Sequence, residues 1–227
     1  MAREITIALA GNPNSGKSTV FNNLTGARQH VGNWPGVTVE KKEGRYHYHG
    51  YRGKVVDLPG VYSLTAYSLD EVVARNFIVE GKPEVVVDIV DASNLERNLY
   101  LTVQLIELET NLVIALNMFD LAKSRGYQID VSRLSELLGA PVVPMVATRK
   151  EGNEELLREI VNVFEGNTTK KKIKLFYGSE LEGHLTELEA LISLDEELSH
   201  QFPPRWLAIK LLEQDKEVLQ KLGVSNE

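Results

Sequence analysis

Apolar runs and helically spaced apolar residues take turns along the chain from residue 5 to about residue 164. The first run, Ile5-Thr6-Ile7-Ala8-Leu9-Ala10, leads through a glycine-containing loop into a helical stretch from Ser18 to Leu24. Lys54-Val55-Val56-Asp57 reads as a short strand and Leu69 to Glu80 as a helix. Val85 to Asp91 is β-branched almost throughout, the mark of a parallel strand buried on both faces. A helix follows over Leu95 to Glu109, then a strand over Leu112 to Leu116. Leu121 to Gly139 holds one or two helices, with Gly139 as a cap, and Val142 to Val146 is the last strand. Asn153 to Phe164 places Leu156, Leu157, Ile160, Val161 and Phe164 at helical spacing. Such alternation predicts an α/β fold, a mostly parallel sheet with helices on both faces.

Two stretches depart from the alternation. Thr25 to Val37 carries Gly26, Gly32, Asn33, Pro35 and Gly36 and reads as a long loop, a length that is usually functional or mobile. Arg45 to Arg52 alternates aromatics with His47 and His49 before a glycine-bracketed turn, the pattern of a hairpin. Both histidines fall on one strand face, and with no third ligand nearby they read as an exposed face rather than a metal site.

The pattern changes at Glu165-Gly166-Asn167-Thr168-Thr169-Lys170-Lys171-Lys172, a linker whose lysines read as a solvated hinge. Beyond it come three helical patterns, about Ser179 to Leu191, Leu194 or Asp195 to His200, and Pro204 to Leu222, without a strand signal. The division expected is an α/β domain over 1–166 and a small all-α domain over 167–227, too small to bury much alone and expected to pack on the first.

Composition narrows the chemistry. At 43% hydrophobic and 25% charged, the 227 residues are those of an ordinary globular chain. A net charge of -7 argues against a nucleic-acid-binding surface as the main business. The absence of cysteine removes disulfides, zinc-thiolate sites and thiol catalysis. No run reaches the ~18 to 20 apolar residues of a membrane span, and the N-terminus lacks a signal-peptide core, so the chain reads as soluble.

Gly11-Asn12-Pro13-Asn14-Ser15-Gly16-Lys17-Ser18 fits G-x-x-x-x-G-K-[ST] at every required position, between a strand and a helix. Its glycines let successive N–H groups face a phosphate chain, and the following helix adds the positive end of its dipole. Lys17 is placed to reach the β- and γ-phosphates and the Ser18 hydroxyl to bind Mg²⁺. Asn117-Met118-Phe119-Asp120 stands at a strand's C-terminal end, where open α/β sheets bind ligands. A carboxylate accepts from paired donors, and guanine offers N1–H and the 2-amino group side by side; Asp120 therefore reads as the base selector. Asn117 bonds the base or ties this loop to the P-loop. Asp57-Leu58-Pro59-Gly60 ends a strand, with Asp57 holding Mg²⁺ through water and the Gly60 N–H meeting the γ-phosphate. A backbone N–H in Ala147-Thr148-Arg149 is placed for the guanine O6. The nucleotide-binding set is then Gly11, Asn12, Asn14, Ser15, Gly16, Lys17, Ser18, Thr19, Asp57, Gly60, Asn117, Met118, Asp120, Ala147 and Thr148. Thr38 joins Ser18 and Asp57 on Mg²⁺, and Lys17, Thr38, Gly60 and Asn14 carry the catalytic expectation. The residue after Asp-x-x-Gly is Val61, which has no side-chain hydrogen bond to offer water, and slow hydrolysis is expected. Arg28 as an arginine finger in cis is the weaker reading against an exposed loop arginine.

Together these motifs resemble those of a Ras-like GTPase domain. The longer stretches Val31-Gly32-Asn33-Trp34-Pro35-Gly36-Val37-Thr38-Val39-Glu40, Val56 to Leu64 and Val90-Asp91-Ala92-Ser93-Asn94-Leu95-Glu96-Arg97-Asn98-Leu99 resemble the cytoplasmic N-terminal region of the prokaryotic ferrous-iron transporter family FeoB. The resemblance implies a regulatory GTPase with GTP or GDP and Mg²⁺, at the cytoplasmic face of the plasma membrane. It implies a helical domain that modulates GDP binding and a membrane permease as partner, fused or separate, with the chain then a fragment or one of two polypeptides. Self-association is a further expectation, and no nucleic acid is expected. In related GTPases an Asn at the position of Asn14 helps hold K⁺ with first-switch carbonyls, here around Gly32 and Trp34, and the resemblance implies K⁺-stimulated hydrolysis. Trp34 otherwise reads as a mobile exposed aromatic. An RNA-associated GTPase is a competing reading, disfavoured by the acidic tail with Asp195, Glu196, Glu197 and Glu213; a P-loop kinase leaves Asn117, Asp120 and Thr38 without a task.

Overall fold

The computed structural model describes residues 3–26, 29–168 and 173–223. They fall into two compact units, one spanning Met1–Ile106 with Thr110–Ile173 and the other Glu107–Glu109 with Lys174–Glu227.

The first unit is built on a seven-stranded sheet in the order β2-β3-β4-β1-β5-β6-β7. The strands are β1 (Arg3–Gly11), β2 (Gln29–Asn33), β3 (Glu40–Tyr48), β4 (Tyr51–Asp57), β5 (Val85–Asp91), β6 (Leu112–Asn117) and β7 (Val142–Pro144). From β4 through β7 every neighbouring pair is parallel; β3 and β2 add antiparallel at one edge. The helices are α1 (Lys17–Thr25), α2 (Leu69–Gly81), α3 (Leu95–Glu107), α4 (Phe119–Ser124), α5 (Val131–Leu138) and α6 (Asn153–Phe164).

Side-chain alternation along the strands sorts the core into two faces. Ile5, Ile7, Leu9, Val87, Ile89 and Val113 pack with Val20 and Phe21 of α1 and with Leu156, Ile160 and Val163 of α6. Asp88, between Val87 and Ile89, points the other way and accepts a bond from Thr102 of α3 at 2.6 Å. Each fully buried aliphatic side chain contributes about 1.5–3 kcal/mol, and this layer is what holds the strand ends in register. Helix starts are capped by Ser68 and Asp130, whose side chains accept backbone N–H groups of Glu71 and Arg133.

Three expectations for this unit need correction. The long loop contains a strand: residues of β2 pair antiparallel with β3 from Gln29↔Gly44 to Asn33↔Glu40. Trp34 is no exposed aromatic; it is 8% exposed, edge-on to Phe77 with centroids 5.2 Å apart and the Lys41 ammonium 4.7 Å above its ring. His47 and His49 do not share a strand face, because β3 ends at Tyr48 and His49 sits in the turn with φ 39°. Arg28 and the Lys170 to Lys172 run lie outside the described residues.

The second unit contains α7 (Ser179–Ser193), α8 (Glu196–Gln201), α9 (Pro204–Leu212) and α10 (Lys216–Lys221). Its core is Leu185, Ile192, Phe202, Trp206, Leu207 and Val218, with Phe202 and Trp206 stacked at 5.8 Å. Arg205 ties α9 to Glu182 of α7 at 2.7 Å. The single helical pattern expected over Pro204 to Leu222 is two helices: Gln214 turns left-handed at φ 53° and Asp215 caps a new start by accepting the Val218 N–H. Among the described residues, no helix is long and apolar enough to cross a membrane.

Candidate functional site

The C-terminal ends of β1, β4, β5 and β6 bring the motifs to one rim of the sheet. Gly11 closes β1, and Gly16, at φ 92°, starts α1 with its first N–H groups open. A side chain on Gly16 would collide with Asn117 Nδ2, and one on Gly11 would lie 2.7 Å from the Ile89 carbonyl, so both close approaches require glycine. Asn14 is exposed with φ 66°, a left-handed conformation that asparagine tolerates better than other non-glycine residues.

Asp57, at the end of β4, is 7% exposed, and its Oδ1 is ion-paired with Lys17 Nζ. The lysine and the carboxylate that the motifs assign to phosphate and metal thus converge. Ser18 is exposed at the start of α1, and Thr38 is exposed just before β3. Hydroxyl and carboxylate oxygens are the donor set a hard cation such as Mg²⁺ takes, and these residues fit it. Gly60 lies over the P-loop: a Cβ there would come within 3.4 Å of the Pro13 Cα. Val61, next in sequence, is buried and donates its N–H to the Gly11 carbonyl at 3.3 Å.

Asn117 spans the rim. Its Nδ2 donates to the Ser15 carbonyl at 2.9 Å, and its Oδ1 accepts the Ala147 N–H at 3.0 Å. Of the two roles open to it, this is the tie to the P-loop. The same bond occupies the Ala147 N–H, and the next residue, Thr148, is exposed. Asn23 of α1 donates to the Ala147 carbonyl at 2.8 Å and holds that turn from below. Met118 is left-handed at φ 56° and opens α4, which places Asp120 in the first helical turn and at the surface. Asp120 Oδ1 accepts the Leu121 N–H at 2.9 Å; Oδ2 accepts from Arg149 Nη2 at 3.0 Å, while Arg149 Nε reaches Glu151 at 3.1 Å.

Gly32 and Trp34 stand apart from this cluster in their local pairing. Gly32 pairs with Lys41 inside β2, and the Trp34 carbonyl accepts the Val37 N–H at 3.2 Å.

Several residues of the site are not apparent from the sequence. Spacing offers Arg149 only a backbone role, and its partner Asp120 is too far along the chain for spacing to reveal the pair. After Gly60, Leu64 is pinned from both sides: its N–H donates to Gln104 Oε1 at 2.7 Å and its carbonyl accepts from Arg75 at 3.4 Å. Glu71 gathers Ser63, Thr65 and the Tyr67 N–H, at 3.1, 3.4 and 2.9 Å. Arg97 of α3 lies 4.1 Å above the Tyr62 ring. A glutamate one turn into α2 and an arginine in the first turn of α3 are ordinary helix residues by pattern, and only the fold brings them to the segment after Gly60.

With this geometry in place, comparison with known proteins is specific. Residues 5–160 match the family described as ferrous iron transport protein B, and residues 177–227 match the FeoB cytosolic helical domain. A curated relative, the Fe(2+) transport protein A/Fe(2+) transporter FeoB fusion protein of Porphyromonas gingivalis, is 44% identical over 221 residues, covering 96% of this chain and 26% of its own length. The chain thus spans about a quarter of that relative. Among solved structures, the cytosolic domain of the T. maritima FeoB iron transporter in a GDP form superposes with a TM-score of 0.91 at 39% identity, over 99% of this chain and 88% of that one. The FeoB G-domain from Methanococcus jannaschii is 55% identical, with a TM-score of 0.65, over 72% of this chain and 99% of that one. The T. maritima match extends over both the α/β unit that carries these motifs and the helical unit after it, and the chain belongs to the ferrous iron transport protein B (FeoB) family.

Proposed function

We propose that the chain binds GTP and GDP, hydrolyses GTP slowly, and uses the difference between the two states to control a membrane permease, fused or separate, that carries ferrous iron. The observation that carries the nucleotide reading is the Asn117 bridge, which joins the loop bearing the guanine-selecting Asp120 to the P-loop backbone at Ser15. Lys17 and the P-loop N–H groups hold the phosphates, Asp120 reads the guanine edge, and Thr148 stands beside the base. Solved relatives in GDP and GMPPNP forms support this reading.

Ser18, Thr38 and Asp57 would hold Mg²⁺, which neutralises charge on the β- and γ-phosphate oxygens when bound. For Asp57 to serve there, Lys17 moves from the carboxylate to the phosphates, and the ion pair seen between them is exchanged for contacts to metal and nucleotide. Asn14 would present its exposed side-chain oxygen to K⁺, together with the Gly32 and Trp34 carbonyls, placing a positive charge where other GTPases use arginine. Because the Trp34 carbonyl is here engaged by Val37 and Gly32 by β3, that site forms only as the Gln29–Asn33 segment leaves its pairing. Loss of the γ-phosphate then returns residues 29–33 to their pairing with β3 and releases the segment after Gly60, a two-state switch.

Residues 1–166 are the GTPase domain and 167–227 the helical domain in this reading, positioned at the cytoplasmic face of the plasma membrane. Buried Val61 offers water nothing, in keeping with slow turnover.

The test is hydrolysis of GTP in KCl and in NaCl at equal ionic strength, with ATP as control. GTP-only turnover that is faster in K⁺, and loses that stimulation in Asn14→Ala, is the expected result. Equal slow rates in both salts remove the cation site; equal use of ATP overturns the assignment of Asp120.

A further inference from the structure

One task in the proposed reaction has no side chain at its usual position. Val61 follows Gly60, is 4% exposed, and commits its N–H to Gly11. Next to Gly11 in the chain is Asn12. It is 3% exposed, and neither its Oδ1 nor its Nδ2 has a hydrogen-bond partner among the described residues. A buried carboxamide with both ends unpaired is costly, and such groups in native proteins ask for a partner that completes them.

The neighbours of Asn12 show where that partner would be. Gly11, on one side, bonds Val61; Pro13, on the other, is the backbone that a Cβ on Gly60 would meet first, at 3.4 Å. Asn12 also lines the P-loop cavity with Lys17, Ser18 and Gly60. The P-loop's other orphaned side-chain atom, Ser15 Oγ, is turned toward Gly11 and β5: a Cβ on Gly11 would lie 3.0 Å from it and 2.7 Å from the Ile89 carbonyl. Ser15 is not among the cavity's lining residues. Asn14 does line it, but is exposed on the outer side of the loop.

We propose that the Asn12 carboxamide orients the attacking water in GTP hydrolysis, the task that Val61 cannot perform. The proposal rests on the GTPase reading above. A carboxamide has the needed chemistry: Oδ1 accepts an O–H of the water, and Nδ2 donates to a γ-phosphate oxygen. The water oxygen forms its bond to Pγ as the bond from Pγ to the bridging oxygen breaks. That electron pair leaves with GDP, and the water proton passes to a phosphate oxygen. GTP and water are consumed, GDP and phosphate are made, and no protein base is required.

Asn12→Leu tests this, because it keeps the side chain's shape and removes both open polar ends, which spares the fold. Asn12→Ala is the second variant, should leucine crowd the loop. Single-turnover hydrolysis of pre-bound GTP is expected to slow about 100-fold in both, the loss typical of a mispositioned reactant. Affinity for Mg·GMPPNP, which carries the γ-phosphate that Nδ2 meets, is expected to fall more than affinity for Mg·GDP, which lacks it, and by far less than the hydrolysis rate. Unchanged hydrolysis of bound GTP in either folded variant overturns the proposal and leaves the GTPase reading standing. Parallel loss of nucleotide affinity and melting temperature, with bound GTP still turned over normally, assigns Asn12 to bracing the P-loop and also overturns it. A wild-type chain that leaves GTP intact removes the GTPase reading itself, and this proposal with it.

Discussion

Asn117 reaches back 102 residues to donate its Nδ2 to the Ser15 carbonyl at 2.9 Å, and the same carboxamide accepts the Ala147 N–H. One buried side chain therefore sets the distance between the P-loop and the turns that follow β6 and β7. Asn117→Ala strands a buried carbonyl and a buried N–H, each worth about 1–3 kcal/mol when left unsatisfied. The expected outcome is a lower melting temperature together with at least about a ten-fold weaker Mg·GDP affinity by calorimetry. Asn117→Asp retains the acceptor for Ala147 but sets a carboxylate oxygen against the Ser15 carbonyl, and it should lose affinity as well.

Asp120 and Arg149 separate specificity from pairing. Their ion pair at 3.0 Å is about half exposed on both sides, and such pairs contribute about 0–1 kcal/mol. Arg149→Ala should therefore change GDP affinity by less than about five-fold. Asp120→Asn replaces one acceptor with a donor and inverts the match to the guanine edge. Xanthine carries a carbonyl where guanine carries its amino group, and the variant is expected to prefer xanthosine to guanosine nucleotides. Competition binding with GDP and XDP checks both variants, and an Asp120→Asn chain that still prefers GDP would remove Asp120 from base recognition.

The division between what spacing reveals and what it hides follows the range of each interaction. The P-loop, Asp57 and Asn117 are legible because each motif sits where a strand ends, and an apolar run announces the strand. β2 is not. Gln29-His30-Val31-Gly32-Asn33 lies at the sheet edge with four of its five residues exposed, and no alternation of apolar and polar positions marks it. Only its backbone pairing with β3 makes it a strand. Trp34 misleads for a related reason: a tryptophan among glycines and prolines looks solvated until Phe77 of α2 is brought beneath it. The break at Gln214 and Asp215 is hidden because apolar residues recur on both sides of it.

Asp88 gives the first unit a pH-dependent stability. Burial pushes its carboxyl up to about 7 from an ordinary 3.8, and the Thr102 hydroxyl pulls weakly the other way. Between these values the folded chain keeps a proton that the unfolded chain has released. Stability therefore falls as pH rises from about 4 to about 7, by at most about 1.4 kcal/mol per unit, and levels off above. Asn at this position stays neutral and still accepts from Thr102. Urea unfolding at pH 5 and pH 8 should show a larger stability difference in the wild type than in Asp88→Asn. Equal differences would place the charged carboxylate comfortably in the fold and contradict the burial argument.

Trp34 reports whether the segment around Thr38 moves with the nucleotide. The chain has two tryptophans, and Trp206 is buried in the helical unit, so Trp206→Phe isolates the signal at the cost of a cavity in that unit's core. In the described state the indole is 8% exposed, with Phe77 on its edge and Lys41 over its face. Its Nε1 has no partner among the described residues, so no hydrogen bond of the indole itself opposes its leaving. Thr38 follows Trp34 by four residues, and the Val37 N–H to Trp34 carbonyl bond makes that stretch a compact turn. Bringing Thr38 to the metal site should open this turn and draw Trp34 away from Phe77. Emission is then expected to shift to longer wavelength, and acrylamide quenching to rise, on going from Mg·GDP to Mg·GMPPNP. Phe77→Ala should show the shifted emission already with GDP. Identical spectra in the two nucleotide states, with binding of both confirmed by calorimetry, would mean that Thr38 reaches the metal without disturbing Trp34, and that β2 does not act as the switch.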